Sequence, residues 1–281
     1  MKKSQMRFRW VMAAAVLVLI AGGMAPVQAD DLAAFDGMKG TVRISGGTAH
    51  IPVMKEAAKR IMQRYAGIQI TVAGGGSGVG IKQVGEGLVD VGNSGRKPTD
   101  EEIAKYDLKL FKWAVDGVGV VVNPKNPVHS LSTAQVKAVF AGTIGNWKEL
   151  GGPDKAINLY TRDEASGTRA VFWKKAIGKG PISAKANVVV SNGAMKSAVA
   201  GDPYGIGYVS VGHIDKSVIP VTLDGVTPTL ETVKSGVYPV ARGLFSNTKG
   251  EPTGLTKVFV DFLFSPTGQA IAAEKGFVAV K

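Results

Sequence analysis

Residues 41–94 read TVRISGGTAHIPVMKEAAKRIMQRYAGIQITVAGGGSGVGIKQVGEGLVDVGNS, and the rhythm of this stretch decides the fold. β-rich runs at 41–45, 68–73 and 89–93 alternate with helical patterns at 51–65 and 80–88. Strands separated by helices of this length cannot pair as hairpins, so they form βαβ units with a parallel sheet. A second series follows: an extended run at 109–122, a helix at 133–140, a strand at 157–161, a helix at 168–177 and a strand at 187–190. Two such series predict two α/β domains. Residues 254–275 are helical, with Leu255, Val258, Phe259, Phe262 and Leu263 on one core-packing face, and Ser265-Pro266 divides the helix in two. No low-complexity linker and no internal repeat separates the series. The domains are therefore expected to be tied by more than one crossing strand, the extended runs 113–122 and 239–246 being the candidates. The expected division is residues 30–118 with 241–281 in one lobe and 119–240 in the other.

Composition narrows the function. The 281 residues include 34 Lys and Arg against 22 Asp and Glu, and no Cys, which removes cysteine nucleophiles, thiolate zinc sites, iron–sulfur clusters and N-terminal lipid attachment. The 37 glycines are well above the usual share of about 7% and point to special turns or close backbone approach. Residues 1–29 begin with Lys2, Lys3, Arg7 and Arg9, continue through an apolar run at 10–20 and end in Val27-Gln28-Ala29, which reads as a secretory signal peptide cleaved after Ala29. The apolar run is shorter than the ~20 residues a membrane span needs, and Gly22, Gly23 and Pro26 interrupt its far end. Without the leader the net charge falls from +12 to +8. The expected product is periplasmic and not lipidated.

Four turns carry the chemistry, each following an expected strand and leading into an expected helix. They are Ser45-Gly46-Gly47-Thr48-Ala49, Gly74-Gly75-Gly76-Ser77-Gly78, Gly92-Asn93-Ser94-Gly95-Arg96 and Arg162-Asp163-Glu164-Ala165-Ser166-Gly167-Thr168-Arg169. A helix N-terminus offers unpaired N–H groups and partial positive charge, which favour anions, and glycine admits a ligand close to the backbone. One such turn alone is usually just a helix cap; four in one chain are not so easily set aside. Arg162 lies four residues before Ser166, where its planar fork can fold back over the helix start and donate to phosphate-like oxygens.

The alternatives fail on spacing. The loop at 74–80 lacks the Gly-Lys-Ser/Thr ending of a nucleotide-phosphate loop, the dinucleotide fingerprint and the Gly-x-Ser-x-Gly elbow of a serine nucleophile. His50, His129 and His213 are far apart, without ligand-like spacing, so no metal site is expected. The basic residues are scattered, which argues against nucleic acid. Binding is a better reading than catalysis.

Taken together, these features resemble the high-affinity phosphate-binding proteins that serve bacterial ABC transporters. The resemblance is carried, in order, by the 74–78 turn with Ile81-Lys82-Gln83, Val89-Asp90-Val91-Gly92-Asn93-Ser94, Asp116-Gly117 before Val120-Val121-Val122-Asn123-Pro124, and Phe140-Ala141-Gly142 with Asn146-Trp147. Arg162 with Ser166-Gly167-Thr168-Arg169, and Ser191-Asn192-Gly193-Ala194-Met195 before Gly205-Ile206-Gly207-Tyr208, complete it. It implies an α/β two-lobe periplasmic-binding-protein architecture of type II, two hinge strands, and a buried anion held by neutral dipoles and an arginine. The implied ligand contacts are Thr48, Ala49, Ser77, Ser94, Arg162, Ser166, Gly167 and Thr168, with Gly47, Arg96 and Glu164 as further candidates. Glu164 would pair with the arginine. One departure stands out: where many family members carry an Asp that accepts phosphate's proton, this chain has Gly95, followed by Arg96, which leaves Ser94 or Arg96 to share the discrimination. The expected protein is a monomeric solute-binding protein, not an enzyme, that takes inorganic phosphate to an ABC permease without cofactor or metal. Its rivals are a binder of sulfate, arsenate or tungstate and, from another class, a secreted phosphatase or esterase.

Overall fold

The structure is a computed structural model that describes residues 30–280; the expected leader at 1–29 lies outside the described residues. The first half of the chain builds β1 (Gly40–Gly46), α1 (Ile51–Arg64), β2 (Ile68–Gly75), α2 (Ser77–Gly85), β3 (Val91–Ser94), α3 (Asp100–Tyr106) and the 15-residue β4 (Leu108–Val122). Then come β5 (Ser130–Leu131), α4 (Thr133–Ala141), β6 (Asn158–Arg162), α5 (Gly167–Lys175), β7 (Asn187–Val189), α6 (Asn192–Gly201) and β8 (Gly205–Ser210). The chain closes with β9 (Ile219–Pro220), β10 (Thr222–Leu223), α7 (Leu230–Lys234), β11 (Ala241–Lys249), α8 (Gly254–Phe262), α9 (Pro266–Glu274) and β12 (Val278–Ala279).

Local chemistry sets these elements. In α1, Val53, Ala57 and Ile61 recur every four residues beside Met54 and Ala58, so one face is buried while Lys55, Lys59 and Arg60 stay on the other. Reciprocal capping boxes start α3 (Thr99 with Glu102) and α4 (Ser132 with Gln135), and Ser166 and Ser191 cap α5 and α6 by accepting N–H bonds three residues on. The expected break at Ser265-Pro266 separates α8 from α9, with the Ser265 side chain as cap.

The strands run in the order β2-β1-β3-β11-β4-β8-β6-β7. β1 is parallel to β2 and β3, and β6 is parallel to β7 and β8, as the alternation predicts. Between these parallel sets stand the two crossing strands: β11 is antiparallel to β3 and β4, and β4 is antiparallel to β8. One hydrophobic core gathers Phe35, Ile44, Met54, Trp113, Phe259 and Phe277; a second gathers Val118, Val120, Phe140, Trp147, Phe172 and Tyr208. β4 therefore feeds Trp113 into the first core and Val118 into the second. Where it passes between them, the Val118 N–H donates to Val240 O at 2.8 Å, just before β11 begins. This is a two-lobe α/β periplasmic-binding-protein fold.

Candidate functional site

In a parallel sheet the loops at the carboxyl ends of the strands face one way and form a crevice. The turns after β1, β2 and β3 meet there, and the turn from β6 into α5 closes on them from the other core. Together they enclose a small cavity of about 10 Å³ lined by Gly47, Thr48, Ala49, Gly76, Ser77, Gly95, Arg162, Ser166, Gly167, Thr168 and Arg242. That is far below the ~300–1,000 Å³ of pockets for drug-sized ligands.

The walls touch directly. The Gly78 N–H donates to Ala165 O at 3.0 Å, and the Asn192 backbone and side-chain N–H groups donate to Thr48 Oγ1 at 3.2 and 3.0 Å. Such proximity demands glycine: a Cβ on Gly76 would lie 2.7 Å from Ala165 O, and one on Gly167 would overlap Ser77 Oγ.

Arg162 is 1% exposed. Its Nε donates to Val189 O at 2.9 Å and its Nη2 to Val190 O at 3.0 Å, while Nη1 is buried with no partner in the protein. Burial pulls this guanidinium below its ordinary value, opposed by the nearby Asp163. A buried cation with an unfilled donor is costly, and an anion in the cavity would relieve that cost. Arg162 is aimed rather than free: β7 sits parallel to β6 and presents the carbonyls that hold it.

The structure departs from the sequence reading in three places. Asp163, 4.0 Å from Arg162 Nη2, is the carboxylate beside the arginine, whereas Glu164 points from an exposed position on the turn. The Ser166 N–H donates to Asp163 O at 3.2 Å, closing a turn that carries Glu164 at its exposed corner. Ser94 is buried but does not line the cavity; it ends β3 and its Oγ accepts from Asn247 Nδ2 of β11 at 3.0 Å. Arg96 leaves the cavity to pair with Glu102 of α3 at 2.7 Å through both Nη atoms.

Two residues at the site escaped the sequence reading. Arg242 on β11 is 7% exposed and lines the cavity. Its Nε and Nη2 donate to Asp116 Oδ2 at 2.9 and 2.7 Å, and its Nη1 to Gly95 O at 3.2 Å. Burial pushes the Asp116 carboxyl up, while Arg242 and the Ser210 hydroxyl pull it back. The signal was the single charge in each of the extended runs 113–122 and 239–246, and only the strand register places Arg242 opposite Asp116. Asn192, the second, links Thr48, Thr168 and the Ser210 N–H. Its signal was Ser191-Asn192-Gly193 opening a helix, the same context as the four turns.

Two α/β lobes joined by two strands, with an enclosed cavity at their junction, define a solute-binding protein of the periplasmic-binding class. Residues 33–267 match the PBP superfamily domain. The phosphate-binding protein PstS of Bacillus subtilis is 36% identical over 287 aligned positions, covering 100% of this chain and 95% of that protein. A Clostridium perfringens protein described as a phosphate ABC transporter substrate-binding protein, solved with bound phosphate, is 34% identical with a TM-score of 0.81, covering 86% of this chain and 100% of that one. A Vibrio cholerae ABC-type phosphate transport receptor is 31% identical with a TM-score of 0.68, covering 84% and 99%. The chain belongs to the PBP superfamily and, within it, to the PstS phosphate-binding proteins.

Proposed function

We propose that this protein captures inorganic phosphate in the cavity at the lobe junction and delivers it to an ABC permease. One observation carries the reading: the unpartnered, buried Arg162 Nη1 faces a cavity walled by Ser77, Ser166, Gly167 and Thr168. The Gly167 and Thr168 N–H groups at the start of α5 precede any intrahelical acceptor and, unlike that of Arg169, are not taken by the Ser166 cap, so they can serve an anion. Thr48, Ala49 and Gly47 complete the wall from the β1 turn. Lobe I is residues 30–118 with 241–281 and lobe II is residues 119–240, and they close on the ligand about β4 and the start of β11. The protein works as a periplasmic monomer, released by its leader and without a lipid, and performs no turnover.

Titration calorimetry with phosphate tests this, paired with incubation in a chromogenic phosphate ester. Stoichiometric binding of one phosphate per chain without ester cleavage is the expected result. Absence of phosphate binding, or steady release of chromophore, overturns it.

A further inference from the structure

We infer that the groove beside the cavity, on the other side of Arg242, is a second binding site, and that it takes a nucleotide: a flat aromatic body carrying more than one phosphate charge. The inference stands apart from the assignment of the cavity to phosphate.

Arg242 is the one residue that lines both spaces among the described residues. Its guanidinium is held by Asp116 and by the Gly95 carbonyl, so it forms a partition between them. The groove has a volume of about 340 Å³ against about 10 Å³ for the cavity, which places it among the ~300–1,000 Å³ pockets that hold organic ligands. Three segments build it. Arg96 and Lys97 come from the turn after β3, Lys174 and Lys175 from the end of α5, and Gly243 and Phe245 from β11.

Its floor is apolar, made by Ala170 and Val171 of α5 with Ala241 and Phe245 of β11. Gly243 makes room for an aromatic ring here: a Cβ at 243 would lie 2.9 Å from Phe245 Cε2, 3.0 Å from its Cζ and 3.1 Å from Lys112 Cε. The Phe245 ring and the Lys112 stem therefore meet over residue 243, the ring half-buried and the lysine exposed. A half-open aromatic ring in an apolar floor is a surface on which a planar ring can stack.

The rim is cationic and in excess of its carboxylates. Glu102 answers Arg96 at 2.7 Å, Asp100 lies 3.9 Å from Lys97, and Asp116 answers Arg242 at 2.7 Å. None of these carboxylates lines the groove. Lys112, Lys174 and Lys175 have no ion-pair partner among the described residues. Lys175 is nevertheless ordered: its Nζ donates to Ala241 O at 2.6 Å, which folds the ammonium onto β11 and leaves it two further N–H donors. Like charges gathered around one concave surface raise the local potential for anions. Because they stand on separate segments around the floor, a diphosphate can reach more of them at once than a single phosphate can.

Calorimetric titration with ADP, at about 0.15 M salt and with the cavity saturated with inorganic phosphate, tests this. One ADP per chain is the expected result, bound about tenfold tighter than pyrophosphate, which has the charge without the body, and than adenosine, which has the body without the charge. Lys112→Gln with Lys174→Gln changes two exposed side chains outside the cavity. It should weaken ADP about fivefold or more and leave phosphate affinity within about twofold. Phe245→Leu, its folding checked by melting temperature, should bring ADP down to the level of pyrophosphate. Pyrophosphate binding as tightly as ADP in the unaltered protein, or no ADP binding, overturns the inference. So does ADP affinity that falls in proportion to added phosphate, since that would put both ligands in one place. Phosphate titrated alone reads the cavity separately, so each of these outcomes leaves the phosphate assignment standing.

Discussion

At the scale of single residues, Arg162 is held by two backbone carbonyls and left with one donor facing the cavity. Truncating one partner of a buried charge pair typically costs about 2–5 kcal/mol. Arg162→Ala is therefore expected to weaken phosphate binding at least tenfold by calorimetry, with the far-ultraviolet spectrum unchanged. Arg162→Lys should fare little better, because a compact ammonium lacks the planar fork that spans Val189 O, Val190 O and the cavity at the same time. His50 and His213 govern acid stability. Their values of about 3 and 4 in the fold lie below the ordinary 6.5, so below pH 6.5 the unfolded chain takes up protons that the folded chain refuses. The contribution is full above pH 6.5 and is lost as pH falls toward 4, roughly 1–2 kcal/mol for the pair between 6.5 and 5.5. Urea midpoints measured across that interval should fall; a flat profile would count against burial of the two imidazoles.

At the scale of elements, the N-termini of α2 and α5 approach from opposite cores, and Gly167 lies against Ser77. A methyl at Gly167, as in Gly167→Ala, would strike Ser77 Oγ and hold the walls apart. Phosphate affinity is expected to drop at least tenfold, and wild-type affinity in this variant would show that the two helix starts do not close on the ligand. α6 contributes differently. It sends Asn192 across to Thr48, so part of the contact between lobes is a hydrogen bond that needs no anion.

At the scale of the whole molecule, two cores share two strands, which meet where the Val118 N–H donates to Val240 O. Ligand between the lobes favours the state in which they touch. Small-angle scattering should show a smaller radius of gyration with saturating phosphate than without, and identical curves would argue for a rigid body. Binding to the folded state alone also stabilises it by about 2.7 kcal/mol at a hundredfold excess over Kd. For a chain of this size that corresponds to a rise in melting temperature of roughly 5–10 °C, measurable by calorimetric scanning.

The sequence by itself determined the two α/β series, the strand–turn–helix setting of the anion-facing loops, the broken C-terminal helix and the crossing strands. Each of these is a local pattern, a hydrophobic period or a capping residue acting within a few positions of itself. The family resemblance pointed to Thr48, Ser77, Arg162, Ser166 and Thr168, and all five line the cavity. Only the tertiary structure decided that Arg242 faces Asp116, residues separated by 126 positions, and that Gly95 is glycine to make room for that pair. It alone turned Glu164 outward and drew Arg96 to Glu102. These outcomes depend on strand register and on which buried charge finds a partner, and a desolvated charge is matched by whatever the fold brings near it, however distant in the chain.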